Sequence, residues 1–259
     1  MELTTQHDGG FFSCCSVRLH FLIEFFNKYK ELPAKYITQK YFECNKSHPD
    51  EDLTFNYFIH YNIIPHDIKY TRDIEFKEWY QYKPYDKLDL EGLLPFIKKY
   101  FVPTETIINI MKNMEKKYNI DYDNICVLFF RGNDKATEIE MPSIDYYIDY
   151  GKSILEKNPN IKFLIQSDET NFINDMKEEF PNNLIFYDEI RHIYKKNTTV
   201  NKVFKETNYQ YSLYYFAITL IMSKCKYIIC NSGNCSLWMV FYRQCTNNII
   251  QLSACDNLR

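Results

Sequence analysis

The sequence predicts the α/β class, with a parallel sheet in its second half. Three observations carry that reading. Ile125-Cys126-Val127-Leu128-Phe129-Phe130 is an unbroken apolar run rich in β-branched and aromatic residues, as expected of a strand covered on both faces. From Pro103 onward, strand-like and helix-like stretches alternate, the pattern of βαβ units. The apolar run ends abruptly in Arg131-Gly132-Asn133-Asp134-Lys135, and in an open α/β sheet ligands bind beyond the carboxyl ends of the strands. Arg131 and Lys135 therefore stand where an anionic ligand would sit, with Glu138 shortly after them.

Composition narrows the class. A chain of 259 residues with 46% hydrophobic and 25% charged residues has room for one large or two modest domains. The net charge of -3 lacks the basic surplus of a general nucleic-acid binder, so anion recognition must be local. The nine cysteines form no CxxC pair, which points to reduced thiols rather than zinc ligands or disulfides. The amino terminus has no basic region followed by an apolar core, so no secretory signal is expected. The longest apolar run, Leu213 to Met222, is too short to span a bilayer and contains Thr219. A cytoplasmic protein is expected, in the host cytoplasm if the source is viral, and the sequons at Asn45, Asn197 and Asn234 then read as chance matches. The share of Lys, Asn, Ile, Tyr and Phe fits an AT-rich coding source.

In order, a short strand leads through His7-Asp8-Gly9-Gly10 into a helix over Ser13 to Asn27, where Val17, Phe21, Leu22, Phe25 and Phe26 recur at helical spacing and Ser13 or Ser16 serves as cap. Gly9 and Gly10 either let backbone N–H groups approach a ligand or supply a turn at positive φ. His7 and Asp8 either position an acceptor or belong to a solvated loop. Pro33 to Lys87 is rich in aromatics, more consistent with core than with a sugar platform, and Leu53 to Ile59 alternates like a strand. A helix over Leu88 to Phe101 is stopped by Pro103, and Thr104 caps the next, to Tyr118. The domain boundary is placed near Pro103. After the strand at 125–130 come a helix over Ser143 to Lys157, a strand over Ile161 to Gln166, a helix to Phe180 and a short strand over Leu184 to Tyr187. Asp188 to Tyr209 reads as a polar loop long enough for a mobile lid, in which Arg191 and His192 are an exposed pair. An apolar helix over Leu213 to Lys224, a strand over Tyr227 to Cys230, a turn through Asn231-Ser232-Gly233-Asn234-Cys235-Ser236, a helix over Leu237 to Tyr242 and a strand over Ile249 to Leu252 complete the pattern.

Three strand ends together resemble one family. Phe130-Arg131-Gly132-Asn133-Asp134-Lys135-Ala136-Thr137-Glu138, Gln166-Ser167-Asp168-Glu169 and Ser223 through Asn234 are similar, in order and spacing, to motifs of the fucosyltransferase-like glycosyltransferases, nearest in pattern to the α-1,6-fucosyltransferases and their bacterial nodulation relatives. The resemblance covers about Pro103 to Tyr242. It implies a GT-B-like fold of two Rossmann-like domains with a reduced amino-terminal half: residues 1–103 on the acceptor side and 104–259 binding the nucleotide sugar.

By the same resemblance, Arg131 and Lys135 bind the diphosphate of the donor, and Glu138 is the base for the acceptor hydroxyl. Asp168, Ser232, Gly233, Asn234 and Ser236 join the donor site, and His7, Asp8, Gly9 and Gly10 border the acceptor or the cleft. The physics agrees, because a departing diphosphate needs a positive field and a helix amino terminus adds to one. Alternatives stay open: Arg131 as a surface partner of Asp134 or Glu138, Glu140 as the working carboxylate, and Asp168, Asn234 or Ser236 as helix caps. The chain also departs from the family, with Phe129 where a His is common, Ala217 or Ile218 where an acid is, and Gly132 in place of the second arginine of an Arg-Arg pair. The expected activity is metal-independent, inverting transfer of a sugar, fucose from GDP-fucose, to a glycan hydroxyl. The donor is a substrate and no cofactor is called for. The alternative is a non-catalytic nucleotide-sugar or glycan-binding module of the same fold.

Overall fold

The computed structural model describes residues 1–39, 42, 45, 54–65, 68–133, 135–194 and 197–253; Leu53 and Asp134 lie outside the described residues. It opens with a βαβ unit. Strand β1 (Glu2–Gln6) and strand β2 (Lys35–Gln39) pair in parallel, with helix α1 (Phe11–Tyr29) as the crossover. Helix α1 starts two residues before Ser13. Gly10 occupies its N-cap without a side-chain bond, and Ser16, one of the two expected caps, lies buried inside the helix.

Among the described residues of the alternating stretch Leu53 to Ile59, the expected strand does not form. Thr54–Tyr57 forms a single helical turn, α2, and only Phe58 makes a bridge, antiparallel to Pro103. The alternating aromatics are satisfied by the core instead of a ladder: Tyr57 and Phe58 are fully buried against Phe11. Helix α3 (Leu90–Tyr100) is capped by Asp89, whose carboxylate accepts from Gly92 N at 3.1 Å. It contains Pro95, which can give no N–H to the carbonyl of Glu91, and the Tyr70 hydroxyl donates to that carbonyl at 2.9 Å. Thr104 holds the cap position of helix α4 (Glu105–Lys117), but its hydroxyl donates to the carbonyl of Asn56 instead of capping.

From here strands and helices alternate: β3 (Ile125–Phe130), α5 (Ile144–Lys157), β4 (Lys162–Ser167), α6 (Thr170–Glu179), β5 (Asn183–Leu184), α7 (Val200–Val203), α8 (Asn208–Lys224), β6 (Tyr227–Asn231), α9 (Asn234–Arg243) and β7 (Ile249–Leu252). Among the described residues these strands form one sheet in the order β5-β4-β3-β6-β7, every pair parallel. Strand β3 is buried at every position, which is why its sequence is uniformly apolar. The chain builds outward from β3 to β5, then crosses back to lay β6 against the other side of β3. That reversal opens a crevice past the carboxyl ends of β3 and β6.

Two stretches differ from expectation. Helix α8 begins at Asn208, ahead of Leu213, and α9 at Asn234, ahead of Leu237. The polar stretch from Asp188 also carries structure: Ile193 bridges to Glu169, and α7 and a 3-10 turn over Lys205–Thr207 come after it. The buried side chains of residues 1–103 and of the sheet half join in one cluster, with Trp238 of α9 stacked on Phe12 and tilted against Phe101. No helix among the described residues is long and apolar enough to cross a membrane.

Candidate functional site

The crevice begins with a clamp. The β3–β6 ladder ends at Phe129, and the side chain of Asn231 takes over: its Oδ1 accepts from Arg131 N at 3.0 Å and its Nδ2 donates to Arg131 O at 2.9 Å. With the backbone fixed, the Arg131 side chain, 30% exposed, extends toward β4, where Nε lies 3.0 Å from Asp168 Oδ2 in an ion pair too oblique to be a hydrogen bond. The other oxygen of Asp168 accepts from Gly132 N at 3.1 Å, and its carbonyl accepts from Asn133 Nδ2 at 2.7 Å. Asp168 is thus a buried fastener of the loop after β3. It is not the cap of α6, a position held by Glu169. A side chain at Gly132 would have to push others aside: a Cβ there would lie 2.1 Å from Glu169 Oε1 and 2.6 Å from the ring of Phe130. Where the family's second arginine would stand, the space is already filled.

The loop then turns through a 3-10 turn over Lys135–Thr137, which sets Lys135 and Glu138 three residues apart on one side. Lys135 is buried, and its Nζ donates to Glu138 Oε2 at 2.6 Å and to Gln81 Oε1 at 2.9 Å. It also sits 4.9 Å from the ring centre of Tyr82, whose hydroxyl donates to the same Glu138 oxygen. Partial burial pushes the Glu138 carboxyl up, but the hydrogen bonds from Lys135 and Tyr82 and the charges of Lys135 and Arg131 outweigh it and hold the group below its ordinary value. Glu140 is exposed and lines neither of the two hollows of the crevice.

Opposite Lys135 lies the turn into α9. Ser232 and Ser236 are buried, and their hydroxyls face inward, donating to the carbonyls of Leu252 and Asn231 at 3.1 and 2.6 Å. Asn234 Oδ1 accepts from Ser16 Oγ at 2.7 Å, and Ser16 in turn accepts from Trp238 Nε1 at 3.0 Å, so α1 and α9 are tied together. With these side chains engaged, what the turn presents is the backbone N–H groups of the first turn of α9, which have no intrahelical acceptor. A Cβ on Gly233 would point at Lys135 Cε, 3.6 Å away. Its glycine therefore keeps clear the space between the lysine and the helix tip.

At the amino-terminal side, neither glycine of the Gly9-Gly10 pair has positive φ, so the reading as a left-handed turn is set aside. Gly9 is small because the His7 ring packs over it: a Cβ would lie 2.4 Å from Nε2. Gly10 meets nothing within 4 Å and leaves open space. The His7 ring bonds Ser13 Oγ at 3.0 Å, and burial lowers its pKa against the pull of Asp8 and Glu78. Asp8 is exposed at the rim.

These pieces surround the two adjoining hollows. The smaller, about 280 Å³, is bordered by Gly9, Gly10, Ser13, Gln81, Arg131, Lys135, Glu138 and the Asn231–Ser236 turn. The larger, about 510 Å³, shares Gly9, Gly10, Phe129, Arg131 and Tyr215 with it and continues past Asp168 to α7 and α8. His7 lines neither. Arg191, expected as half of an exposed pair, is half-buried at the wall of the larger hollow. It donates to Asn208 Oδ1, Asn201 Oδ1 and the carbonyl of Phe204 at 2.8, 2.8 and 2.9 Å, and packs on the Tyr211 ring. A polar stretch without periodicity still folds when one guanidinium satisfies several of its oxygens. His192, its expected partner, bonds Thr170 Oγ1 at 2.8 Å, and burial lowers its pKa. Gln81, Tyr82 and Arg191 are the residues that sequence reasoning missed. The smaller hollow thus gathers Arg131, Lys135 and the first turn of α9, with the Glu138 carboxylate at its edge.

No protein-family model matches the sequence, and no curated protein matches it. Solved structures do. A NodZ α-1,6-fucosyltransferase soaked with GDP-fucose is similar over 100% of this chain and 97% of that one, with a TM-score of 0.57 and 10% identity. The same kind of enzyme co-crystallized with GDP is similar over 93% and 91%, and fucosyltransferase NodZ from Bradyrhizobium over 96% and 92%, each with a TM-score of 0.51 and 9% identity. The chain has a fucosyltransferase-like fold, mixed α/β with a parallel sheet.

Proposed function

We propose that this chain, whose fold is fucosyltransferase-like, is a glycosyltransferase that moves fucose from GDP-fucose to a glycan hydroxyl by metal-independent, inverting displacement. The observation that carries the reading is the meeting of Arg131, Lys135, Glu138 and the first turn of α9 around one hollow at the sheet's reversal point. Residues 1–103 take the acceptor side and residues 104–259 the donor, in a GT-B arrangement with a reduced amino-terminal half. In support, the bound donor is named for one of the similar structures and GDP for another.

The diphosphate lies in the smaller hollow, where Arg131, Lys135 and the α9 tip supply the field for the charge that develops on it. A charge-assisted bond of this kind is worth about 1.5–3 kcal/mol. The nucleoside extends into the larger hollow. There Phe129 and Ile218 line the wall at the places where the family carries a histidine and an acid, so the base is read by other side chains. The acceptor hydroxyl gives its proton to Glu138 as its oxygen bonds the anomeric carbon. The bond from that carbon to the diphosphate breaks on the opposite face, and its electron pair leaves with the diphosphate. A positioned base contributes on the order of 10²–10⁴ in rate.

The test begins with melting temperatures in a panel of nucleotide sugars, since a ligand of the folded state stabilises it by mass action. GDP-fucose is expected to raise the midpoint most. Release of GDP from GDP-fucose is expected in the unaltered chain and lost in Glu138→Ala, with GDP binding kept. Binding without turnover under any acceptor would favour the non-catalytic module.

A further inference from the structure

We propose that Tyr82 is a positioning residue for the transfer reaction, aiming the Glu138 carboxylate from the amino-terminal half of the chain. The proposal rests on the reading of Glu138 as the base. Glu138 comes after a single 3-10 turn and its side chain is 46% exposed, and among the described residues of its own loop only Lys135 bonds its carboxylate. A second restraint comes from outside the loop. Oε2 accepts from both Lys135 Nζ and the Tyr82 hydroxyl, and no described residue donates to Oε1, which is left as the atom to take the acceptor's proton. The tyrosine ring also carries the Lys135 ammonium, and the neighbouring Gln81 accepts from that same nitrogen. One dipeptide, Gln81-Tyr82, thus holds both members of the Lys135–Glu138 pair.

The segment that delivers the dipeptide is itself secured at both ends. At its start, Glu78 contacts His20 Nδ1 of α1. At its finish, Gln251 of β7 accepts from Tyr85 N at 2.9 Å and donates to Lys83 O at 3.1 Å and Ser232 Oγ at 2.9 Å. The segment carrying Tyr82 is therefore held by α1, which borders the crevice, and by β7, whose Gln251 also bonds Ser232 of the turn into α9. Among the described residues, the groups that act on the Glu138 charge are Lys135, Tyr82 and Arg131.

The experiment compares the full chain with Tyr82→Phe, Tyr82→Leu and Glu138→Gln, tracking GDP release from GDP-fucose across pH and GDP affinity by calorimetry. Phenylalanine fits the half-buried site and keeps the ring under Lys135. Y82F is expected to bind GDP as before, to lose roughly 10-fold in kcat, and to begin losing activity at higher pH on acidification. The acid limb moves upward because the lost hydrogen bond stabilised the ionised carboxylate. Y82L removes the ring as well and is expected to weaken GDP binding through Lys135. Unchanged kcat in Y82F, or a fall in kcat with an unmoved acid limb, would overturn the role of Tyr82 while an inactive E138Q keeps Glu138 as base. Turnover retained in E138Q would overturn both.

Discussion

At the scale of single residues, the proposed chemistry depends on how Arg131 is held. Its backbone is pinned by Asn231 and its side chain extends toward Asp168, so the guanidinium reaches the hollow from a fixed origin. Lysine keeps the charge but not the planar fork that matches phosphate oxygens. Arg131→Lys is expected to weaken GDP binding by roughly 10-fold while the melting temperature moves little, because both backbone bonds to Asn231 survive. Calorimetry with GDP, beside a thermal scan, checks this; equal affinities would remove Arg131 from the donor site. Arg131, Lys135 and Glu138 are legible in the sequence because a buried strand announces its own end, and the residues just past that end face the crevice. Gln81 and Tyr82 are not. They lie in a 3-10 turn without apolar periodicity, and their partners come more than fifty positions later, at Lys135 and Glu138.

At the scale of elements, α1 and α9 are joined by Ser16, whose hydroxyl donates to Asn234 and accepts from Trp238. A serine on a buried helix face reads as a candidate cap in the sequence, since spacing alone does not say which neighbour a hydroxyl meets. Ser16→Ala would strand two polar atoms, one of them fully buried with Trp238, and each such atom costs about 1–3 kcal/mol. A loss of about 2 kcal/mol in urea denaturation is expected. A loss below about 0.5 kcal/mol, the ordinary range of surface changes, would show the bridge to be incidental. The inner strands β3, β4 and β6 are readable within a residue, because burial on both faces forces uniform apolarity, whereas the edge strand β5, expected over Leu184 to Tyr187, pairs only over half-buried Asn183–Leu184. Thr54–Tyr57 reads as a strand in error because aromatics that alternate for the sake of packing imitate a ladder.

At the scale of the whole molecule, the core passes without a break from α1 and α3 into the sheet half, through Phe12, Phe101 and Trp238. A fragment of residues 104–259 would expose the indole and the α9 face packed on it. Such a fragment is expected to lack cooperative thermal unfolding and a near-ultraviolet circular dichroism signal, whereas the full chain shows both. A fragment that melts sharply would mean the sheet half is stable without its companion.

The crowding at Gly132 reaches beyond this one molecule. Any lineage moving between this loop and one bearing paired arginines must swing or trim the side chain at 169 and let the Phe130 ring shift off its neighbours. The two positions are therefore coupled: a random library altering position 132 alone should return fewer folded clones than one altering 132 and 169 together, whose survivors should be enriched in shorter residues at 169.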